Sequence, residues 1–161
     1  MKKIIIAAVA KNFVIGKDGK MPWHISEELK HFKKTTMNFP LLMGRKTYVS
    51  FGAKPLKGRL NCVLTRDENY QSDYDNLKVF NDIDELFNHC GKEGFEKIFI
   101  IGGSEIYNST INHCDEMVLS FLNEDYEGDT YFPEIDENIW NIDNIEKHDR
   151  FDVHYYIRRK I

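Results

Sequence analysis

The stretch LLMGRKT, residues 41–47, runs from an apolar segment through one glycine into a polar segment that can begin a helix. The stretch IIGGSE, residues 100–105, follows the same plan with two glycines. Apolar strands that lead through glycine into helices are typical of parallel sheets in α/β proteins. Helix starts next to glycine also attract anions, although turns of this kind are common as purely structural elements. The two stretches therefore predict an α/β fold with two turns suited to phosphate groups.

Short apolar runs alternate with helical segments along the rest of the chain. Strands are predicted at residues 3–10, 39–43, 61–65, 77–80, 97–101 and 116–122. Helices are predicted at residues 27–34, 45–51, 83–90 and 105–111, with Ser26, Asp82 and Ser104 as the N-caps of the first, third and fourth. Residues 140–147 and 152–159 are strand-like and flank a polar turn at residues 148–150. This pattern indicates a mixed, mostly parallel eight-stranded sheet flanked by about four helices, with a C-terminal antiparallel hairpin.

Composition favours one domain over residues 1–161. The chain is 42% hydrophobic and contains no internal repeat or Pro/Gly/Ser-rich linker. Its net charge of −4 does not predict a general attraction to nucleic acid or to an anionic membrane. The sequence contains no amphipathic coiled coil or large apolar insertion that would indicate an obligate assembly, so a monomer is expected.

The cysteines indicate a reducing compartment. Cys62, Cys90 and Cys114 are odd in number and lack a CxxC spacing, which favours free thiols in a cytoplasmic protein. The six histidines show no HxxxH spacing, so no metal site is predicted. The start, MKKIIIAAVAK, imitates a secretion signal, but its apolar run is short and a buried first strand is the better interpretation.

Glu28 interrupts an apolar stripe on the first predicted helix. Ile25, Leu29 and Phe32 have the spacing of one buried helix face, and Glu28 occupies the remaining position on that face. Glu27 instead falls with His31 and Lys34 on the opposite, wet face. A carboxylate on an apolar face is exposed by a local gap, paired with a buried cation, or available to a polar ligand. A simple first-turn carboxylate, favoured by the helix dipole, is the structural alternative.

Three cations follow strand ends. Arg45 and Lys46 come after Gly44, and Arg66 comes after the strand predicted at residues 61–65, so the three can gather at the carboxyl edge of the sheet. Such a group suits a nucleotide with an extra phosphate and favours NADPH over NADH. Solvated surface charge is the alternative interpretation. No GxGxxG or P-loop sequence is present.

Two loops contain further residues that could belong to a binding site. Residues 11–25 form a long connection with Met21-Pro22-Trp23 near its end, which can act as a lid over a site, and the alternative is that Trp23 simply packs on the core. Arg59 follows a proline-containing loop, and its planar fork can hold a carboxylate, although a surface arginine is the simpler interpretation.

The order of these segments resembles the dihydrofolate reductase family. The resemblance covers residues 4–133 and includes the terminal hairpin. Its markers are IAA at residues 6–8, VIG at 14–16, MPW at 21–23, EL at 28–29 with Phe32, MGRKT at 43–47, GR at 58–59, IGGSEIY at 101–107 and EGDTYFP at 127–133.

The resemblance implies reduction of 7,8-dihydrofolate to tetrahydrofolate by hydride transfer from NADPH, which supplies one-carbon and thymidylate metabolism. Glu28 would hold the pterin and support protonation at N5. Met21 and Trp23 would belong to a mobile loop over the site, and Asp129 would lie in the turn that holds this loop shut. Antifolate inhibitors are further expected ligands. The implied substrate-binding residues are Ile6, Ala7, Glu28, Leu29, Phe32, Phe51, Leu56, Arg59, Ile101, Tyr107 and Ser120.

The implied NADPH-binding residues divide between the two glycine turns and nearby strand ends. Arg45, Lys46, Thr65 and Arg66 would surround the 2′-phosphate, and the helix starting at Ser104 would receive the pyrophosphate. Gly102-Gly103 matches a cis peptide of the family. The full set is Ala8, Ile15, Gly16, Gly44, Arg45, Lys46, Thr47, Leu64, Thr65, Arg66, Ile101, Gly102, Gly103, Ser104, Glu105, Ile106 and Tyr107.

This chain departs from many members of the family at several positions in and near the implied site, among them Glu28, Tyr48, Phe51 and Ser120. Glu28 stands where many carry aspartate, and Ser120 stands where a threonine usually bonds the carboxylate. Two alternatives remain, namely a pyrimidine reductase of riboflavin synthesis and a non-catalytic nucleotide-binding module on the same fold.

Overall fold

The main sheet is built from apolar strands that are mostly parallel. The computed structural model describes residues 1–160, and its strands are β1 Lys2–Val9, β2 Val14–Gly16, β3 Leu41–Gly44, β4 Asn61–Leu64, β5 Leu77–Phe80, β6 Lys97–Ile100, β7 Glu116–Leu122, β8 Thr130–Tyr131, β9 Trp140–Lys147 and β10 Phe151–Arg158. Eight of them form one sheet in the order β5-β4-β3-β6-β1-β7-β10-β9. The first six in that order are parallel, β10 pairs antiparallel with β7, and β9 pairs antiparallel with β10. The predicted fold class is therefore confirmed.

A second, two-stranded sheet was not predicted. β2 pairs antiparallel with β8. Because each of these strands has three residues or fewer, neither carries a periodic pattern that sequence could reveal. The small sheet ties the connection after β1 to the turn before β8, so residues 11–25 are attached to the fold at one end.

Four helices connect the strands, and only one of the three predicted caps is confirmed. The helices are α1 Ser26–Thr36, α2 Arg45–Ser50, α3 Ile83–Lys92 and α4 Ser104–Thr110, the last followed by a 3₁₀ turn at Ile111–His113. Asp82 caps α3 by accepting hydrogen bonds from the N–H groups of Asp84 and Glu85. The prediction was wrong for Ser26 and Ser104, which are the first helical residues and make no side-chain cap.

Two apolar clusters cover the two faces of the sheet. Successive residues of β1 alternate between them, since Ile4 and Ile6 belong to one cluster and Ile5 to the other. The cluster of Ile4 and Ile6 also receives Trp23 and Ile25 from the region before α1. Each fully buried aliphatic side chain contributes roughly 1.5–3 kcal/mol of transfer free energy, so this two-sided burial is the main stabilisation of the sheet.

The three thiols lie inside the protein. Cys62, Cys90 and Cys114 are free and buried, and the Sγ atoms of Cys62 and Cys90 are 3.8 Å apart. No helix within residues 1–160 is both long enough and apolar enough to cross a membrane.

Candidate active site

Glu28 is a buried carboxylate without a cation. Its side chain projects from the first turn of α1, and the residue is only 5% exposed. No Lys, Arg or His within residues 1–160 forms a salt bridge with it. Burial raises the pKa of Glu28, and a hydrogen bond from the Ser120 hydroxyl opposes that rise. A local gap and a salt-bridged counter-ion are therefore excluded as explanations for its position, and a polar ligand and the helix dipole remain.

The surroundings of Glu28 come from the middle of the sheet. Ser120 lies on β7 opposite Ala8 of β1 and is itself buried. Two residues earlier on β1, the Ile6 carbonyl accepts a 2.9 Å hydrogen bond from the Tyr107 hydroxyl. Burial raises the pKa of Tyr107, and the charge of Glu28 adds to the rise. The structure thus brings together Glu28, Ser120, Tyr107 and the middle of β1.

The apolar residues predicted around Glu28 are only partly buried. Phe32, Leu56 and Ile101 pack against the cluster that contains Ile6. Leu29 and Phe51 are each 38% exposed. The predicted burial of the helix stripe was therefore wrong at Leu29, because nothing in the fold covers the side chain there. His31 also differs from its prediction, since it is half-buried and not on a wet face.

Arg59 is buried, and some of its guanidinium N–H groups make no hydrogen bond within residues 1–160. Its guanidinium donates 2.9 Å from Nε to the Lys57 carbonyl and 3.1 Å to the Thr36 hydroxyl. No carboxylate within residues 1–160 forms a salt bridge with it, and burial lowers its pKa. A guanidinium has five N–H donors, so the remaining ones can bind an acidic group that enters the site. The simpler interpretation of Arg59 as a surface arginine is wrong.

The two glycine turns meet at the carboxyl edge of the sheet. The Gly44 N–H donates a 2.9 Å hydrogen bond to the Gly102 carbonyl, and the peptide between Gly102 and Gly103 is cis. A Cβ on Gly102 would lie 3.2 Å from the Tyr107 ring. α2 and α4 begin directly after these turns, and neither has a side-chain cap. Their first N–H groups are therefore free of side-chain partners and available to an anionic ligand.

The predicted cations lie at the same edge. Gly44 of β3 pairs with Leu64 of β4, so Arg45 and Arg66 follow neighbouring strand ends. Arg45 and Lys46 are exposed, and Arg45 stands 5.7 Å from the centre of the Tyr70 ring. Arg66 forms a 3.0 Å salt bridge with Glu105, and both side chains are largely exposed. Such a surface pair is weak, so it leaves Arg66 available to a phosphate.

The remaining predicted cofactor residues differ in their exposure. Thr65 lies at the end of β4, where its hydroxyl accepts a 3.1 Å hydrogen bond from the Asp67 N–H. Ile15 and Gly16 are half-buried on β2. The half-buried positions also include Ala8, Thr47, Leu64, Ile101, Ser104 and Ile106.

Comparison with known proteins identifies the family to which this chain belongs. A family model described as dihydrofolate reductase matches residues 3–159. The chain is 35% identical over 159 residues to the dihydrofolate reductase of Mycoplasma genitalium, covering 98% of each chain. It is 37% identical over 146 residues to that of Ureaplasma parvum, covering 91% of this chain and 90% of the relative. The chain belongs to the dihydrofolate reductase family.

A solved member of the dihydrofolate reductase family has the same fold. The enzyme from Enterococcus faecalis, solved in complex with NADP(H) and RAB-propyl, superposes with a TM-score of 0.87 at 32% identity. The superposition covers 99% of this chain and 97% of that one. These matches favour dihydrofolate reductase over the two alternatives that the sequence left open.

In this member of the family, the predicted lid is tied to the turn before β8. Asp129 accepts a 3.0 Å hydrogen bond from the Asp18 N–H. Trp23 is buried, and its ring lies 5.1 Å from that of Tyr126. Met21 stays 47% exposed. The loop is therefore held at both its ends, while Met21 is free to contact a ligand.

Sequence reasoning missed Thr36 and Asn61. Thr36 is fully buried at the end of α1, where its hydroxyl accepts from Arg59 and donates to the Phe32 carbonyl. Asn61 is fully buried at the start of β4 and bonds both the N–H and the carbonyl of Leu56. A polar residue at the start of the apolar run NCVL was the available signal for Asn61.

Proposed function

We propose that Glu28 binds the pterin in this dihydrofolate reductase, accepting hydrogen bonds from ring N3 and the 2-amino group, and supports protonation of N5. The observation that supports this proposal is that Glu28 is 5% exposed and forms no salt bridge with a cation among residues 1–160. A buried acceptor of this kind is costly unless a ligand provides donors. The resulting activity is reduction of 7,8-dihydrofolate to 5,6,7,8-tetrahydrofolate.

NADPH supplies the hydride, and the protein supplies position and electrostatics. The raised pKa of Glu28 increases the fraction of protein in which this carboxyl holds a proton at a given pH. The Ser120 hydroxyl, fixed on β7, orients the carboxyl from one side. The proton that reaches N5 would come from water, and the Glu28 carboxyl would support its transfer beside the ring that is reduced.

The substrate tail would be held by Arg59. Its free donors face no carboxylate of the described protein, so a carboxylate of the substrate satisfies them. Phe51 and Leu56 would contact the middle of the tail, with Leu29 and Phe32 nearer the pterin. Ile6, Ala7, Ile101, Tyr107 and Ser120 would complete the substrate site.

The glycine turns fit a dinucleotide with an additional phosphate. The uncapped first turns of α2 and α4 offer N–H groups, and three exposed cations follow the same strand ends. Arg45, Lys46, Thr65 and Arg66 would bind the 2′-phosphate, and α4 would receive the pyrophosphate. Gly44, Gly102 and Gly103 allow close approach of the backbone. Ala8, Ile15, Gly16, Thr47, Leu64, Ser104, Glu105 and Ile106 would complete the cofactor site.

Met21 and Trp23 would cover the reacting rings. Trp23 anchors the loop on the core, and the exposed Met21 closes over nicotinamide and pterin.

We also propose that residues 1–161 form one domain that acts as a cytoplasmic monomer without a nucleic-acid partner. One sheet contains strands from Lys2 to Arg158, the net charge is −4, and the cysteines are free.

The deciding experiment is NADPH oxidation by the purified protein with and without dihydrofolate. We expect oxidation that depends on dihydrofolate and is abolished by methotrexate. Glu28→Gln should lose most turnover and keep its NADPH affinity, since the change removes the ionisable carboxyl and leaves the cofactor edge intact. Glu85→Gln is the matched control, because Glu85 is also a first-turn glutamate but lies exposed on α3. Full turnover by Glu28→Gln would reject the role of Glu28.

A further inference from the structure

His148 joins α1 to the β9–β10 hairpin. It lies in the turn of the hairpin, with Nδ1 2.8 Å from Oε1 of Glu27 and Nε2 2.6 Å from Oε1 of Glu146. The His148 side chain is 19% exposed, whereas those of Glu27 and Glu146 are 53% and 47% exposed, so the bridge is partly open to solvent. Glu27 is on α1 and Glu146 is on β9, and His148 is therefore the link between a helix and a sheet edge.

The two contacts fix the protonation state of His148. A carboxylate accepts hydrogen bonds, so both ring nitrogens must donate, and only the imidazolium has two N–H groups. The hydrogen bond to Glu27 raises the pKa of His148, burial opposes the rise, and Glu146 adds to it. The ring also stacks on Phe151, with centroids 4.4 Å apart and planes 8° from parallel.

Other charged groups around the bridge leave this assignment unchanged. From α1, His31 lies 6.2 Å from His148 between ring centroids, and its pKa is lowered, first by burial. Lys34 lowers the pKa of His31 further. From β10, Tyr155 bonds Glu146, and its pKa is raised, first by burial. His31 and Tyr155 therefore remain neutral near pH 7, and His148 is the cation between the two glutamates.

The bridge acts next to the proposed catalytic carboxyl. Glu27 and Glu28 are adjacent in the first turn of α1, one facing the hairpin and the other buried. The hairpin also leads into β10, where Val153 pairs with Ser120, the residue that bonds the Glu28 carboxyl. The same hairpin thus holds Glu28 by two routes, one through the helix backbone and one through Ser120.

We propose that His148 is a positioning residue for the reduction of dihydrofolate, and that its paired contacts with Glu27 and Glu146 keep the first turn of α1, and hence Glu28, fixed and shielded from water. This inference rests on the function proposed for Glu28. His148 itself touches neither substrate nor cofactor in this role. The cofactor edge lies at the glycine turns, so NADPH affinity is independent of the bridge.

The test compares His148→Gln, Glu27→Gln and the double variant with the control His113→Gln. His113 is an exposed histidine in the 3₁₀ turn, far from α1 in sequence and without a carboxylate partner among residues 1–160. We expect the KM for dihydrofolate to rise roughly twofold to fivefold in His148→Gln, the range that a partly exposed ion pair can supply, with an unchanged NADPH Kd. The double variant should raise the KM for dihydrofolate no more than either single variant does, because both single changes break the same contact between His148 and Glu27.

A second readout does not depend on turnover. Titration of the Glu28 carboxyl by ¹³C NMR in the free protein should show its pKa falling towards the ordinary value of 4.5 in His148→Gln, as water reaches the loosened turn. It should not move in His113→Gln. A Glu28 titration identical in His148→Gln and wild type would overturn the positioning role. Absence of dihydrofolate reduction by the wild type would instead overturn the proposed function, with the NMR titration still deciding whether His148 positions Glu28.

Discussion

The Asp129 carboxylate accepts a 3.0 Å hydrogen bond from the backbone N–H of Asp18 and a 2.8 Å hydrogen bond from the Thr130 hydroxyl. Asp18 lies in the loop that carries Met21, and Asp129 lies in the turn before β8. The N–H of Asp18 is the main cause of the lowered pKa of Asp129. The Asp129 carboxylate is therefore one of the groups that hold this loop, beside the β2–β8 pairing and the buried Trp23 ring.

Replacing Asp129 should loosen this loop. Asp129→Ala removes the acceptor, so we expect faster amide hydrogen exchange at Asp18 and turnover lowered roughly tenfold, as is common when loop closure is impaired. Asp125→Ala is the control, since Asp125 is a nearby carboxylate that makes no hydrogen bond to the loop. Unchanged exchange at Asp18 would show that other contacts hold the loop.

The same contact predicts acid sensitivity. The pKa of Asp129 is lowered from 3.8 in the folded protein, so its stabilisation is complete above pH 3.8 and is lost as the pH falls through the folded value. In the wild type the contact is therefore intact at neutral pH, and exchange at Asp18 should rise relative to other loop amides only at pH values below 3.8.

Glu28 predicts the opposite pH dependence of stability. Its pKa is raised above 4.5 in the folded protein, so ionisation opposes folding as the pH rises above 4.5. Glu28→Gln should therefore be more stable than wild type at pH 7, by on the order of 1 kcal/mol, as is common when a functional residue is replaced. Urea unfolding at pH 7 and at pH 4 measures this. An equal gain at both pH values would mean that ionisation is not the cause.

Sequence predicted the architecture more completely than the contacts of the site. The central strands are continuously apolar, so the sequence alone identifies them as buried strands. Arg45 and Arg66 follow the ends of two parallel strands, which places both at the carboxyl edge of the sheet. Burial depends on what covers a residue, and no local pattern shows that Leu29 stays exposed while Arg59 is buried. The Glu27–His148 contact spans 121 positions of sequence, so only the folded hairpin reveals it.

Arg45 should discriminate between the two nicotinamide cofactors. Arg45→Ala removes an exposed cation at the end of β3. We expect the Kd for NADPH to rise roughly tenfold and the Kd for NADH to change less than twofold, since only NADPH has the 2′-phosphate and charge-assisted hydrogen bonds are strong. Fluorescence titration at low and high salt measures both, with Arg150→Ala as an exposed arginine control. Equal losses for both cofactors would reject the contact.

The buried thiols should be unreactive in the native protein. Cys62, Cys90 and Cys114 are fully buried, and burial raises the pKa of Cys114 to about 12. Because the thiolate is the reactive form, a thiol reagent such as DTNB should label none of the three at pH 8 and all of them in 8 M urea, at roughly the rate of free cysteine. Rapid labelling under native conditions would indicate that the β4–α3 region opens.

Thr36 should support substrate binding through Arg59. Its hydroxyl accepts from the Arg59 guanidinium and donates to the Phe32 carbonyl, so Thr36→Val keeps the side-chain shape and removes both bonds. We expect the KM for dihydrofolate to rise roughly fivefold, as for loss of one typical hydrogen bond, with kcat changed less than twofold.

Thr110→Val is a matched control for this change. Thr110 is also buried near a helix end and donates to the carbonyl four residues earlier, at Ile106, but within residues 1–160 its side chain has no hydrogen bond with an arginine. The two variants should lose similar stability, and only Thr36→Val should raise KM. A dihydropterin without the acidic tail separates the effects further, because its KM does not depend on Arg59. If Thr36→Val weakened binding of the tailless substrate as much as that of dihydrofolate, the hydroxyl would act on α1 as a whole and not through Arg59.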